Sequence, residues 1–231
     1  MSPRLSLVIP VYNEAENIGD VVVAADRVLA RHPGGHEIIV ADDGSTDGTA
    51  TMVDSLAQRL SFCRRLALTH RGQGSALLSG LRIAQAPLVL TMDGDGQNDP
   101  EDFPVLIEAV DSGRADLACG WRVDRHDNWV RRAMSALANR VRRSVLRDGV
   151  HDAGCQLRVM RRELIGALTE MDLLQAFIPA QAVAAGFRVA EFPVRHRPRL
   201  RGRSNYGLGN LWWRPAVAMW RLRRKLQRRA R

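Results

Sequence analysis

The sequence predicts an α/β fold built on a mostly parallel central sheet flanked by helices. Three observations carry that reading. Short apolar runs of strand length recur through the first 120 residues, and helical stretches separate them. The two most polar clusters, Asp42-Asp43-Gly44-Ser45 and Asp93-Gly94-Asp95-Gly96-Gln97, each directly follow one of those runs. Strands alternating with helices are βαβ units, and strands joined that way are buried on both faces, so they read as continuous apolar segments.

Leu5–Val11 is the first such run, and residues 14–30, with their VVVAA segment, form the helix after it. His36–Ala41 (HEIIVA) is a second strand, and Thr46–Leu60 a helix whose Asp- and Thr-rich start suits N-capping. Arg65–Thr69 is a third strand, Ser75–Ala84 a helix and Pro87–Met92 a fourth strand. A helix opens at Pro100 with Glu101 and Asp102 in its first turn, and Ala115–Gly120 is the fifth strand. The second half is more helical: Trp129–Leu146 is basic and amphipathic, and Arg161–Leu168 and Ile178–Ala185 are shorter. Phe187–Val194 is a further strand, residues 196–209 an arginine- and glycine-rich loop, and a last helix runs from about Pro215.

At 231 residues, 45% hydrophobic and 26% charged, the chain has room for one sizeable core and is not a disordered composition. Its formal charge of +9 suggests an anionic partner, but the charge is unevenly spread. Residues 1–194 hold all 25 acidic groups and 21 basic ones, whereas 195–231 hold 13 basic and no acidic residues. Three widely spaced cysteines without a CxxC pair argue against a disulfide framework or a zinc site and fit a reducing compartment. The opening MSPRLSLVIPVYNE runs straight into a strand pattern, and no apolar run approaches the roughly 20 residues needed to span a bilayer. The expectation is a cytoplasmic chain without integral membrane insertion.

In a parallel sheet, ligands bind beyond the carboxyl ends of the strands. Asp93-Gly94-Asp95 therefore has two readings: a solvated Asp-Gly turn, or a pair of carboxylates holding a hard divalent cation that shares its oxygen ligands with substrate phosphates. Gln97, on the same side by period two, would supply or orient another oxygen. Asp42-Asp43-Gly44-Ser45-Thr46-Asp47 is either a helix cap or a carboxylate site for a base N–H or ribose hydroxyls, and Pro10-Val11-Tyr12-Asn13-Glu14 closes the first strand in the same way. Other nucleotide signatures are absent. There is no GxxxxGK[ST], the only lysine is Lys225, and Gly72-Gln73-Gly74 lacks the third glycine of a dinucleotide fingerprint.

Six segments in this order, VIPVYNEAENI (8–18), ADDGSTDGT (41–49), RGQGSALLSGL (71–81), TMDGDGQNDPED (91–102), DAGCQLRVMRRE (152–163) and FPVRHRPRLRGRSNYGL (192–208), together resemble the family 2 glycosyltransferases of the GT-A fold. Within them they resemble the dolichol-phosphate mannosyltransferase and bacterial polyprenyl-phosphate glycosyltransferase group. The resemblance implies a catalytic domain over 1–208 and a basic, tryptophan-bearing helical segment over 209–231. It implies that Pro10, Tyr12, Glu14 and Asp42 line the nucleotide, and that Asp93, Asp95 and Gln97 hold Mg²⁺ or Mn²⁺ with the donor diphosphate. Arg122, Arg131, Arg199 and Ser204 would hold the acceptor phosphate and donor pyrophosphate, with Asp93, Asp95, Arg122 and Arg131 as the catalytic set. One departure stands out: the family's closing S-K-Y is here Ser204-Asn205-Tyr206, leaving Arg201 or Arg203 to supply the missing cation.

The implied reaction moves a sugar, with inversion, from a GDP- or UDP-sugar to a polyprenyl phosphate. The Asp152 segment and the arginine loop disfavour a soluble or polysaccharide acceptor. A non-catalytic membrane- or nucleic-acid-binding protein would leave the carboxylate motifs unused. Cys155 reads as a small buried hydrophobe, and the lone histidines His151 and His196 as surface or core residues. Tryptophans interleaved with cations after residue 209 have the build of an interfacial helix. The basic excess is thereby assigned to a lipid phosphate and an anionic membrane surface at the cytoplasmic face, and not to nucleic acid.

Overall fold

Strand β1 (Leu5–Val11) is buried at every position, and so are the last five residues of β2 (His36–Asp42) beside it. Helix layers on both faces produce that burial. The computed structural model describes residues 3–123, 129–197 and 213–229, without the side chains of 129–137, 213–216 and 228–229. The remaining strands are β3 (Cys63–Ala67), β4 (Leu88–Thr91), β5 (Leu117–Arg122), β6 (Arg158–Arg161) and β7 (Val189–Val194). They form one sheet in the order β3-β2-β1-β4-β6-β5-β7. Only the pairings of β6 with β4 and β5 are antiparallel, so β6 runs against six strands of common direction.

Period-two alternation divides the core. Leu5, Leu7, Ile9 and Val11 of β1 pack with α1 (Ile18–Leu29), α2 (Thr49–Arg59) and α4 (Phe103–Asp111). Val8 points to the opposite layer, where α3 (Gln73–Ile83) and α6 (Leu174–Ala184) pack. A third cluster docks α7 (Trp213–Arg229): Ala218, Met219 and Leu222 are buried against Phe177 and Ala180 of α6, beside Val145 and Leu146 of α5 (Trp129–Leu146). Trp220 on α7 remains 53% exposed, with the Arg223 guanidinium 5.5 Å from its ring centroid. Among the described residues, no helix is long and apolar enough to cross a membrane.

Several boundaries differ from the sequence reading for local reasons. Residues 14–17 form a turn, with the amides of Asn17 and Ile18 both on the Glu14 carbonyl, so α1 begins at Ile18. The polar residues 43–48 are spent on loop contacts, and α2 begins at Thr49. The third strand lies two residues earlier than expected, in register with β2 from Ile38↔Cys63 onward. Arg162–Ala167 is a 3₁₀ turn and not an α-helix, and β6 immediately precedes it. The three cysteines are buried and unbonded to one another, and burial pushes the thiols of Cys63 and Cys155 up to about 11 and that of Cys119 up to about 12.

Gly80 lets α3 lie directly on β1: a Cβ there would sit 2.5 Å from Val8 Cγ1, an atom a β-branched buried side chain cannot withdraw. Gly80→Ala is expected to lower unfolding stability by about 1–2 kcal/mol, the overpacking cost less the gain in helix propensity. A urea titration would show it as a lower midpoint at unchanged slope.

Candidate active site at the carboxyl edge of the sheet

The chain travels from β1 through β2 to β3 in one direction across the sheet and then resumes at β4 on the other side of β1. A crevice opens at such a reversal, outside the carboxyl ends of the two strands that flank it. Residues 12–14 leave β1 there, and Asp93–Gln97 leave β4 there. Neighbouring loops are laced into one rim. The Asn13 amide donates to Ser45 Oγ at 3.0 Å, the Thr46 amide to Asn13 Oδ1 at 2.8 Å, and the Glu14 amide to Thr49 Oγ1 at 2.9 Å. Buried Asp42 accepts from the Ser45 amide at 2.9 Å and from Arg65 Nη1 at 3.3 Å. Asp43 accepts from the amides of Arg71 and Gly72 at 2.9 and 2.8 Å, which fixes the loop entering α3. The Tyr12 ring lies 4.3 Å, centroid to centroid, from His70.

Gly94 is dictated by close approach, since a Cβ would meet Val11 Cγ1 at 2.6 Å. This packing turns the chain so that Asp93 and Asp95 flank the end of β1. Asp93 Oδ1 accepts from Gln73 Nε2 at 2.8 Å, and Gln73 Oε1 accepts in turn from Gln175 Nε2 at 3.0 Å. The Asp93 amide donates to Asn98 Oδ1 at 2.9 Å, and the Gln97 amide to Asp95 Oδ1 at 3.1 Å. Burial first and the neighbouring Asp95 charge second push the Asp93 carboxyl up to about 7, against the pull of Arg122, Arg158 and the Gln73 N–H. Two oxygen-rich carboxylates repelling each other are the donor set a hard cation relieves. No group of three or more His, Cys, Asp or Glu side chains suited to a metal occurs among the described residues.

Across the crevice, Arg122 at the end of β5 is held by Asp152. Nε donates to Oδ2 at 2.7 Å and Nη2 to Oδ1 at 2.9 Å, with side chains only 15% and 5% exposed. Burial works against the Arg122 charge, but the Asp152 bonds prevail and raise its pKa. The bidentate grip leaves the Nη1 edge for another acceptor. Behind this pair Arg158 has no exposed surface; it donates to Gln156 Oε1 and to the carbonyls of Gln175 and Ala153 at 3.2, 2.6 and 2.9 Å.

A family model described as "Glycosyl transferase family 2" matches residues 6–169. The chain belongs to that family. It is 34% identical over 212 residues to the dodecaprenyl-phosphate galacturonate synthase of Rhizobium johnstonii, covering 90% of this chain and 63% of that protein. To the undecaprenyl-phosphate 4-deoxy-4-formamido-L-arabinose transferase of Edwardsiella ictaluri it is 37% identical, covering 90% and 64%. The chain thus spans slightly less than two thirds of the relatives it matches. Its fold is that of glucosyl-3-phosphoglycerate synthase from Mycobacterium tuberculosis, solved with Mn²⁺, uridine diphosphate and glucosyl-3-phosphoglycerate: TM-score 0.74 at 19% identity, covering 96% of this chain and 80% of that one. The central sheet is the GT-A sheet expected from the motifs.

Of the residues expected in this family 2 site, Pro10, Tyr12, Glu14, Asp42, Asp93, Asp95 and Gln97 gather around the crevice, and Arg122 faces them. The Arg131 side chain, Arg199, Ser204, Asn205, Arg201 and Arg203 lie outside the described residues. Gln97 is engaged through its backbone, its carbonyl accepting from the Arg197 amide at 2.9 Å. Sequence reasoning did not single out Asp43, Gln73, Gln175 or Arg158. Gln73 had a signal, because it fills the place between two glycines at a helix start; Gln175 and Arg158, set among apolar residues, had none.

Two outcomes follow from these charges. Asp152→Ala leaves the buried Arg122 without its counter-ion and should cost about 3 kcal/mol or more, read by chemical denaturation; the double change Arg122→Met/Asp152→Leu should recover most of the loss. Asp93 carries a raised folded pKa, so the folded state retains a proton that the unfolded chain releases near pH 4. Its contribution therefore falls as pH rises from about 4 to 7. In chelator, Asp93→Asn should be more stable than the parent at pH 8, with the difference shrinking as pH approaches 4.

Proposed function

We propose that the protein is an inverting glycosyltransferase that moves a sugar from a GDP- or UDP-sugar to a polyprenyl phosphate. The observation that carries this reading is the opposition, across one crevice, of the Asp93/Asp95 carboxylates and the Asp152-oriented Arg122. The names of the relatives at 34% and 37% identity support the lipid-phosphate acceptor. Asp93 and Asp95, with Gln97 beside them, would hold a divalent cation, Mg²⁺ or Mn²⁺, and its charge would stabilise the departing diphosphate.

The chain's own groups have two tasks. Pro10, Tyr12, Glu14 and Asp42 flank the nucleotide end, where the laced rim keeps the Asp42 loop rigid. Arg122 presents directed N–H groups toward the reacting anions; its charge is largely offset by Asp152, so its contribution is orientation more than net attraction. A lipid monophosphate carries about −1.5 to −2 charge at neutral pH, so the nucleophile arrives ionised and no strong base is required. Aligning two anions in line is then the main demand.

Arg131, Arg199 and Ser204 complete the phosphate-binding set in this reading. The segment leading to Arg199 is tied to the carboxylate loop: the Arg195 amide donates to Asp102 Oδ2 at 2.7 Å and Arg197 Nη2 lies 2.7 Å from Asp99 Oδ2. Residues 1–208 serve as the catalytic domain. The 209–231 segment, whose α7 turns Trp220, Arg221 and Arg224 outward, contacts an anionic membrane at its cytoplasmic face.

Asp95→Ala should abolish metal-dependent transfer, by at least about a hundredfold for loss of a transition-state electrostatic group, while circular dichroism and the unfolding midpoint stay near wild type. Near-parental turnover by this variant would sink the proposal. A screen of nucleotide sugars against a short polyprenyl phosphate, scored by nucleotide release, identifies the donor.

A further inference from the structure

Beside the Arg122–Asp152 pair lies a group of side chains that the proposed chemistry has not used. Trp121, next to last in β5, is 42% exposed. The His151 ring stacks on it at 5.5 Å between centroids and 29° between planes. Glu191 of β7, its side chain only 10% exposed, accepts from the His151 amide at 2.7 Å, from the Asp152 amide at 3.0 Å and from His151 Nδ1 at 2.8 Å. A carboxylate accepts and cannot donate here, so Nδ1 carries a proton, and Nε2 is turned outward. Nε2 has no partner among the described residues, and the His151 side chain is 54% exposed.

Each part is costly unless something uses it. An open indole leaves a large apolar face in water, and a histidine pinned through its amide and one ring nitrogen has given up rotamer freedom. Together they offer a polar nitrogen and an apolar plate side by side, one residue from Asp152 and therefore at the mouth of the site. The surrounding charges are Glu191 behind the imidazole, Asp152 and Arg122 beside it, and the close Arg142–Asp148 ion pair near Glu191.

We infer that Trp121 and His151 seat the phosphate end of the acceptor lipid, the indole covering the first isoprene unit and His151, as an imidazolium between Glu191 and the phosphate, donating from Nε2 to a phosphate oxygen. A prenyl phosphate joins an anion directly to an unsaturated hydrocarbon, so it satisfies both groups at once; inorganic phosphate satisfies only the histidine, and a prenyl alcohol only the tryptophan. Glu191 acts as a positioning residue that fixes the imidazole. This inference rests on the proposed polyprenyl-phosphate acceptor.

The test is steady-state kinetics of the full chain with a short polyprenyl phosphate, alongside the slow hydrolysis of the nucleotide sugar by water. His151→Gln should raise the acceptor KM about tenfold, the worth of one hydrogen bond to a charged group. Trp121→Ala should raise it by a similar factor, and Trp121→Phe and His151→Arg should restore most of each loss. Donor KM and hydrolysis should be unchanged in all four, because none of these side chains lies on the carboxylate side. Acceptor KM values within twofold of the parent in both His151→Gln and Trp121→Ala would overturn the inference while leaving the acceptor assignment standing. A parent protein that hydrolyses donor but transfers nothing to polyprenyl phosphate would overturn the assignment itself.

Discussion

A guanidinium with no exposed surface organises both sides of the crevice. Arg158 sits on the one reversed strand, between β4 and β5, where leaving its donors unpaired would cost several kcal/mol. Its bonds to Ala153 and Gln156 hold the segment that carries Asp152, and through Asp152 the orientation of Arg122. Its bond to the Gln175 carbonyl holds the start of α6, and the Gln175 side chain continues through Gln73 to Asp93. Two short chains of hydrogen bonds thus run from one buried cation to the carboxylate and guanidinium sides. The same positive charge partly offsets the repulsion between Asp93 and Asp95, without reversing it.

This arrangement explains which parts were legible in the sequence. The parallel strands announce themselves because double-sided burial leaves uninterrupted apolar runs, and Leu5–Val11 was readable to the residue. The carboxylate motifs were equally visible, since a strand end followed by acidic and glycine residues has few uses. β6 was not legible: four residues, RVMR, with arginine at both ends, resemble a solvated turn, and only the tertiary bonds of Arg158 make that strand buriable. Likewise Gln175 lies in an apolar stretch that looks like plain helix, and its role exists only because α3 and α6 start side by side. His151 read as one histidine among six because Glu191 and Trp121, its partners, are 40 and 30 positions away in sequence.

The charge asymmetry also acquires a structural meaning. Arg195 and Arg197, the first cations of the basic stretch, already have acidic partners: they bind Asp99 and Asp102 beside the carboxylate loop, and the Arg197 amide donates to the Gln97 carbonyl. The acidic body and basic tail are therefore stitched where the two halves of the site meet. α7 uses its apolar face for α5 and α6, which turns Arg221, Arg224, Lys225 and Trp220 the other way.

Burial of the thiols reaches beyond packing. All three cysteines of the chain are enclosed, and each holds its proton far above neutral pH, so none supplies a thiolate to a reagent in the folded state. A cysteine introduced at an exposed position, on the outer face of α7 or near Trp121, would be the one reactive handle on an otherwise unaltered protein. Fluorescent or spin probes could then follow helix docking and ligand arrival without first removing any native sulfur.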